Sequence, residues 1–284
     1  MTNQTITTED GRALAADWFP APTRDDAATA RSTLLLAPAT GVRRSFYVPF
    51  AQHLAEQGHD VLLWDARGIG DSQRGSVRSE MATMFEWGRF DLEAMIRHAR
   101  VQSPSGKLIL LGHSSGGHLC GLAPSLDELD AIVLIASGTA DWRDYEKSQW
   151  PRLFAAWYLA LPLVVALFGY LPGWAGVGQH LPAGVAWQWR RWGLTKGYLF
   201  GDPSIDSSRY RLYRGAVRAV SMADDHDFAP PGPVTALLNQ FVSADKSHHV
   251  INPSGKPIGH FGFFRTKHAA HWPVVTEWLN ERLG

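Results

Sequence analysis

The 284-residue chain reads as an α/β protein, a parallel sheet wrapped by helices, with one apolar insertion. Three observations predict this. Short apolar runs without strict alternation recur along the chain, the form taken by strands buried on both faces. Segments of helical period separate them, and a strand, helix, strand rhythm belongs to crossover-connected parallel strands. The rhythm breaks once, in a stretch crowded with tryptophan, and then resumes. Composition agrees: 45% hydrophobic residues are enough for a core, and 27 Lys plus Arg against 27 Asp plus Glu leave no net field to attract nucleic acid.

Residues 3–20 read as two strands around Asp10-Gly11, a dipeptide that favours a two-residue hairpin. A polar, alanine-rich connection follows at 21–31. Thr33–Ala37, Val61–Trp64 and Leu108–Leu111 are buried strands. Between them, helical spacing links Tyr47, Phe50 and Leu54, and later Met84, Phe85, Phe90, Leu92, Met95, Ile96 and Ala99. Ala131–Ile135 is a further strand, and after the insertion the rhythm resumes at Ala216–Met222, Val234–Phe241, His249–Asn252 and His268–Leu283. The expected organisation is a core in two parts, 1–139 and 209–284, with a helical cap at 140–208. The N-terminal MTNQTITTEDGRAL has neither a basic nor an apolar leader region, and the lone Cys120 has no partner for an internal disulfide, so a cytoplasmic chain is expected.

The chemistry centres on Gly112-His113-Ser114-Ser115-Gly116-Gly117, directly after the strand ending at Leu111 and before a helix-compatible run, His118–Ala123. This is G-x-S-x-G in the strand-to-helix setting it requires: a sharp turn lifts the Ser114 hydroxyl above the sheet edge, and the glycines admit the helix close to the strands. A serine hydroxyl needs a base, itself oriented by a carboxylate, in the chain order Ser, Asp or Glu, His. His260 is the expected base, in the loop after a strand. His248 and His249 are set aside as lying at the wrong end of that strand, and His268 and His271 as helix residues. Asp225 is the first choice of acid, with Asp224 and Asp227 open alternatives. The N–H groups of Val42 and Ser115 are the expected oxyanion donors. Gly41, His113, Trp157 and Trp187 are expected to contact substrate.

The chain resembles the α/β-hydrolase superfamily, and within it the serine aminopeptidase-like bacterial branch of predicted hydrolases. The residues that carry the likeness are Ala39-Thr40-Gly41-Val42, Trp64-Asp65-Ala66-Arg67-Gly68-Ile69-Gly70-Asp71-Ser72, the Ser114 turn, and Gly259-His260-Phe261-Gly262-Phe263-Phe264-Arg265. Thr40-Gly41 stands where many relatives carry His-Gly. The resemblance implies a mostly parallel eight-stranded sheet with an inserted helical cap. Other motifs are weak. Gly68-Ile69-Gly70 lacks the third glycine of a dinucleotide site, no phosphate-binding P-loop is present, and His113 and His118 do not share a helical face for a metal. No cofactor and no metal are expected, and Arg67 and Asp71 read as a structural loop network.

Seven of the twelve tryptophans (Trp142, Trp150, Trp157, Trp174, Trp187, Trp189, Trp192) fall in the insertion, and Leu153–Trp189 contains no Lys, Arg, Asp or Glu. Leu153–Leu171 is nearly long enough to span a bilayer, which takes about twenty residues. Both its ends return to one sheet, so a crossing would separate the acid and base from Ser114. A lid is the preferred reading, over an interfacial patch on lipid and a subunit interface. Arg190, Arg191 and Lys196, which close the stretch, read as solvated helix-end charges. The expected function is a cofactor-independent serine hydrolase of a small-molecule carboxylic ester or thioester with an apolar portion, its activity rising as pH passes through roughly 6 to 7 and the base becomes neutral. The alternatives are an acyltransferase with the same acyl-enzyme and a non-catalytic binding protein of the same fold.

Overall fold

The computed structural model describes residues 1–22 and 32–283. Residues 23–31, most of the expected polar connection, lie outside the described residues. In chain order the strands are β1 (Thr2–Thr7), β2 (Ala13–Phe19), β3 (Thr33–Ala37), β4 (Asp60–Trp64), β5 (Leu108–His113), β6 (Ala131–Ile135), β7 (Tyr170–Leu171), β8 (Leu181–Pro182), β9 (Ala216–Met222) and β10 (Asp245–Ile251). Eight of them form one sheet in the order β1-β2-β4-β3-β5-β6-β9-β10, and β7 pairs with β8 outside it. β1 and β2 pair antiparallel, β2 meets β4 antiparallel, and every other neighbour in the main sheet is parallel. This strand order and pairing are those of the α/β-hydrolase fold that the resemblance implies. β3, β4, β5 and β6 are buried at every residue because helices cover both faces, which is why their sequences run apolar without alternation.

The helices used below are α1 (Val48–Glu56), α2 (Glu93–Gln102), α3 (Ser115–His118), α4 (Lys147–Phe168), α5 (Ala183–Leu194), α6 (Pro231–Leu238), α7 (Gly259–Gly262) and α8 (Pro273–Leu283). α1 buries Phe50, Ala51 and Leu54, the face its spacing predicts. The apolar run from Met84 is not one regular helix. A capping box between Thr83 and Glu86 starts it, and a π turn at Trp87–Leu92 precedes α2. The run after Ser114 is also shorter than expected, since α3 ends at His118 and Cys120–Leu122 is a 3-10 turn. There the Tyr210 ring packs where a Gly121 Cβ would stand.

Pro162 does not end α4. A π turn at Ala156–Ala160 comes just before it, and the Trp157 carbonyl within that turn accepts from Arg190 Nε at 2.7 Å. Gly169, left-handed at φ 76°, closes the helix, three residues before the Pro172-Gly173 pair. The histidines on β10 also differ from expectation. His248 is the middle residue of the strand and His249 follows it, and His248 shares a hydrogen bond with Ser221 of β9.

Candidate active site

β5 delivers the chain to a turn at which Ser114 holds φ 51° and ψ −117°, a region costly for a residue with a side chain. Close packing holds it there. The Ser114 N–H donates to Ile135 O at 3.0 Å, and Ser137 Oγ donates to Ser114 O at 2.6 Å. A Cβ on Gly112 would lie 2.4 Å from Gly117 Cα, and one on Gly116 would lie 2.3 Å from Ala37 O. Those two glycines are what let α3 approach β3 and β5 so closely. Ser115 opens α3, so its N–H has no carbonyl four residues back to bind.

His260 stands on α7 in the loop after β10. Its Nδ1 lies 2.6 Å from Asp225 Oδ2, and both side chains are buried. Asp225 also accepts from Phe228 N at 3.1 Å and Ala229 N at 3.2 Å. Asp224 and Asp227 do other work. Asp224 accepts from the N–H groups of Ile258 and Gly259 at 2.7 and 3.1 Å and braces the histidine loop, and Asp227 pairs with Arg152 of α4. Ser114 and His260 border the same cleft without a hydrogen bond between them.

Four expected contacts are placed differently. Val42 N–H is committed to Ala39 O at 3.1 Å, closing a turn, and Val42 borders no cavity with Ser114; Thr40 does. Gly41, at φ 70°, lies beneath the insertion, its carbonyl accepting from Gln179 N at 2.8 Å. His113 is wholly buried. Its Nδ1 accepts from Tyr47 O–H at 2.8 Å and its Nε2–H donates to the His260 carbonyl at 3.0 Å, the tautomer this network requires. Burial, with His260 close by, keeps it far below the usual histidine range and so neutral. Tyr47 in turn accepts from Ala39 N–H at 2.9 Å, so His113 links the loop after β3 to the histidine loop. Trp187 faces outward, 39% exposed, while Trp189 borders the cavity. Trp157 stands in the cavity wall.

The insertion walls a cavity of about 590 Å³ above Ser114. Leu153, Trp157, Leu161 and Val164 of α4 contribute one side, with Val177 and Trp189. Polar groups are few: Thr40, Thr139 and His118 among them. His118 donates from Nδ1 to Gly138 O and accepts from Tyr198 O–H, and burial lowers it to about 4, again neutral. The insertion is anchored to the acid loop by Tyr145 O–H to Phe228 O and Gln149 Nε2 to His226 O, both at 2.5 Å, and by Arg152 with Asp227. Arg67 and Asp71 lie in the expected loop network, Arg67 with Asp10 and Asp91, Asp71 with Arg44. Among the described residues, no group of three or more His, Cys, Asp or Glu side chains is placed to hold a metal ion.

Comparison with known proteins places these residues in context. The family model described as serine aminopeptidase, S33, matches residues 28–168. Of solved structures, a soluble variant of monoglyceride lipase from Saccharomyces cerevisiae superposes with a TM-score of 0.72 at 15% identity, covering 99% of this chain and 95% of that one. A thermophilic esterase from Thermogutta terrifontis gives 0.62 at 17% identity over 100% of both chains, and an esterase of Pyrococcus furiosus gives 0.64 at 15% over 100% and 91%. These likenesses are of fold. Inositol oxygenase 2 of Arabidopsis thaliana is 25% identical over 152 residues, 53% of this chain and 44% of that protein, so the chain spans less than half the length of that curated relative.

Proposed function

The chain belongs to the α/β-hydrolase superfamily, and from that premise we propose that it is a serine hydrolase of carboxylic esters that carry an apolar portion. The observation that carries this reading is the buried Asp225–His260 pair, 2.6 Å apart, bordering the same cleft as a serine held at a strained turn. In the proposed reaction the Asp225 carboxylate holds Nδ1–H of His260, leaving Nε2 free to accept the Ser114 proton once the two close to hydrogen-bond distance. Ser114 Oγ attacks the carbonyl, and negative charge develops on its oxygen. The N–H of Ser115 and that of Thr40, in place of Val42, supply the donors. His260 returns the proton to the departing alcohol, and water repeats the sequence to release the acid.

Residues 140–208 act in this proposal as the cap that selects the apolar portion. The aliphatic and aromatic lining offers it burial, while the few polar groups around Ser114 keep the reacting carbonyl in register. The test is a panel of activated esters of increasing acyl length, with wild type and Ser114→Ala, alongside fluorophosphonate labelling. Hydrolysis and labelling both lost in Ser114→Ala support the reading. Hydrolysis that persists without Ser114 overturns it. The same assay with an added alcohol or amine distinguishes transfer from hydrolysis by the products formed.

A further inference from the structure

The insertion has two apolar faces, and the cavity uses only one. Leu153, Trp157, Leu161 and Val165 of α4 turn inward and are buried. Leu159, Leu163 and Leu167 on the other side are 64%, 61% and 69% exposed, and Phe154 stacks on Tyr158, both exposed, with ring centroids 4.2 Å apart. Trp174, 70% exposed, also lines the cavity, so the outer apolar surface runs without a break into the mouth of the pocket.

Charge says what such a surface meets. From Lys147 to Gly201 there are five basic residues (Lys147, Arg152, Arg190, Arg191, Lys196) and no Asp or Glu. Arg152 is spent on Asp227 and Arg191 on Asp202. Lys147, Arg190 and Lys196 have no carboxylate partner in the ion pairs among the described residues; Arg190 donates from Nε to Trp157 O at 2.7 Å and lies over the Trp187 ring. At the other end of α4, Arg78 lies over the Tyr170 ring, beside Phe168. An apolar helix face edged by Trp and Tyr rings and by cations without carboxylate partners matches an anionic lipid surface, with the apolar residues among acyl chains and the cations among headgroups.

We infer that the outer face of α4, with Trp174, docks the protein on an anionic membrane surface and that an amphiphilic ester enters the cavity from that surface. The helix is 22 residues long, enough by length and composition to cross a bilayer. It lies in the membrane plane instead, because its inner face forms the cavity wall and Trp157 packs against Gly193 and Trp189 of α5. The delivery step rests on the esterase reading; the docking does not.

The test is co-sedimentation of the full chain with phosphatidylcholine vesicles, with and without about one-third phosphatidylglycerol, for wild type, Ser114→Ala, Leu163→Glu and Leu159→Glu. Expected are binding to the anionic vesicles that weakens at high salt, the same binding by Ser114→Ala, and at least a tenfold weaker binding by each glutamate variant. Leu159 and Leu163 do not line the cavity, so both glutamate variants should hydrolyse a short soluble ester at the wild-type rate, which also reports that they are folded. Wild type left in the supernatant with both vesicle types overturns docking. So does a wild-type dimer that Leu163→Glu converts to monomer, since a second copy then covers the face. Vesicle binding without any ester hydrolysis overturns the esterase reading and leaves docking in place.

Discussion

The turn at Ser114 and the helix Lys147–Phe168 border one cavity and are built on contrasting terms. In the backbone that carries Ser114 there is no spare volume. Glycines stand where a Cβ would strike backbone at 2.3–2.4 Å, and backbone and side-chain hydrogen bonds fix both the N–H and the carbonyl of the serine. Along the helix there is apolar surface beyond what the cavity needs. The contrast teaches where each property resides. A strained backbone geometry persists only where its surroundings over-determine it, whereas the selection of an apolar substrate portion that we propose for the cavity tolerates a wall of interchangeable side chains.

The largest expected effect lies on the constrained side. Asp225→Asn removes the acceptor that orients His260, and kcat should fall about 10⁴-fold. Asp224→Asn keeps one acceptor for the histidine loop and should lose about tenfold, on the order of one charged hydrogen bond, while Asp227→Asn stays near wild type. Steady-state kinetics on a short ester would check the ranking, and equal losses at all three positions would remove the special role of Asp225. Next is Gly116→Ala, whose methyl meets Ala37 O. It should cost about 1–3 kcal/mol by overpacking, read as a drop of several degrees in the thermal midpoint. The same substitution at Gly176, where nothing lies within 4 Å of the added Cβ, escapes that clash but carries strain from φ 89°. It should lower the midpoint less.

On the permissive side, Val164→Phe fills part of the cavity wall without touching Ser114. Excluding two methylenes at about 0.8 kcal/mol each should lower kcat/KM for the longest esters roughly tenfold and move the chain-length optimum down, with short esters unaffected. A uniform loss across the panel would place Val164 in the chemistry instead. A further prediction concerns pH. Burial lowers His118 to about 4 in the folded protein, so the unfolded chain takes up its proton first as pH falls. The contribution is complete above about 6.5 and is lost between there and about 4, at up to about 1.4 kcal/mol per pH unit. Asp91, raised to about 6 by burial, runs the other way, its contribution being lost as pH rises toward 6. Comparing thermal midpoints of wild type and His118→Gln isolates the histidine, and the wild-type midpoint should fall more steeply below pH 6.5.

The strands were legible because burial on both faces leaves a plain mark, an apolar run without alternation, and β3 and β6 lie at the residues where that mark stands. The Ser114 turn was legible because its glycines are fixed by backbone contact. The loop after β3 was not, because a turn that folds Val42 N–H onto Ala39 O leaves no sequence signature that separates Val42 from Thr40. Trp187 and Trp189 were separable in principle. They lie two apart on a helix, so only one can face inward, and the buried Val185, Ala186, Trp192 and Gly193 put position 189 on the inner side. His113 was misjudged because its chemistry looks like that of a substrate contact. Only the arrangement of Tyr47 and the His260 carbonyl reveals a buried link between two loops.

Gln179 N–H binds the Gly41 carbonyl, and Val177 O occupies the space a Gly41 Cβ would need. The loop that helps wall the pocket is therefore fastened to the residue next to Thr40. Redesign of this protein for new substrates meets that fastening directly. Replacements at 176–179 chosen to admit a different chain will shift turnover along with selectivity, whereas replacements on the inner face of α4 leave the fastening alone and let the two be adjusted separately.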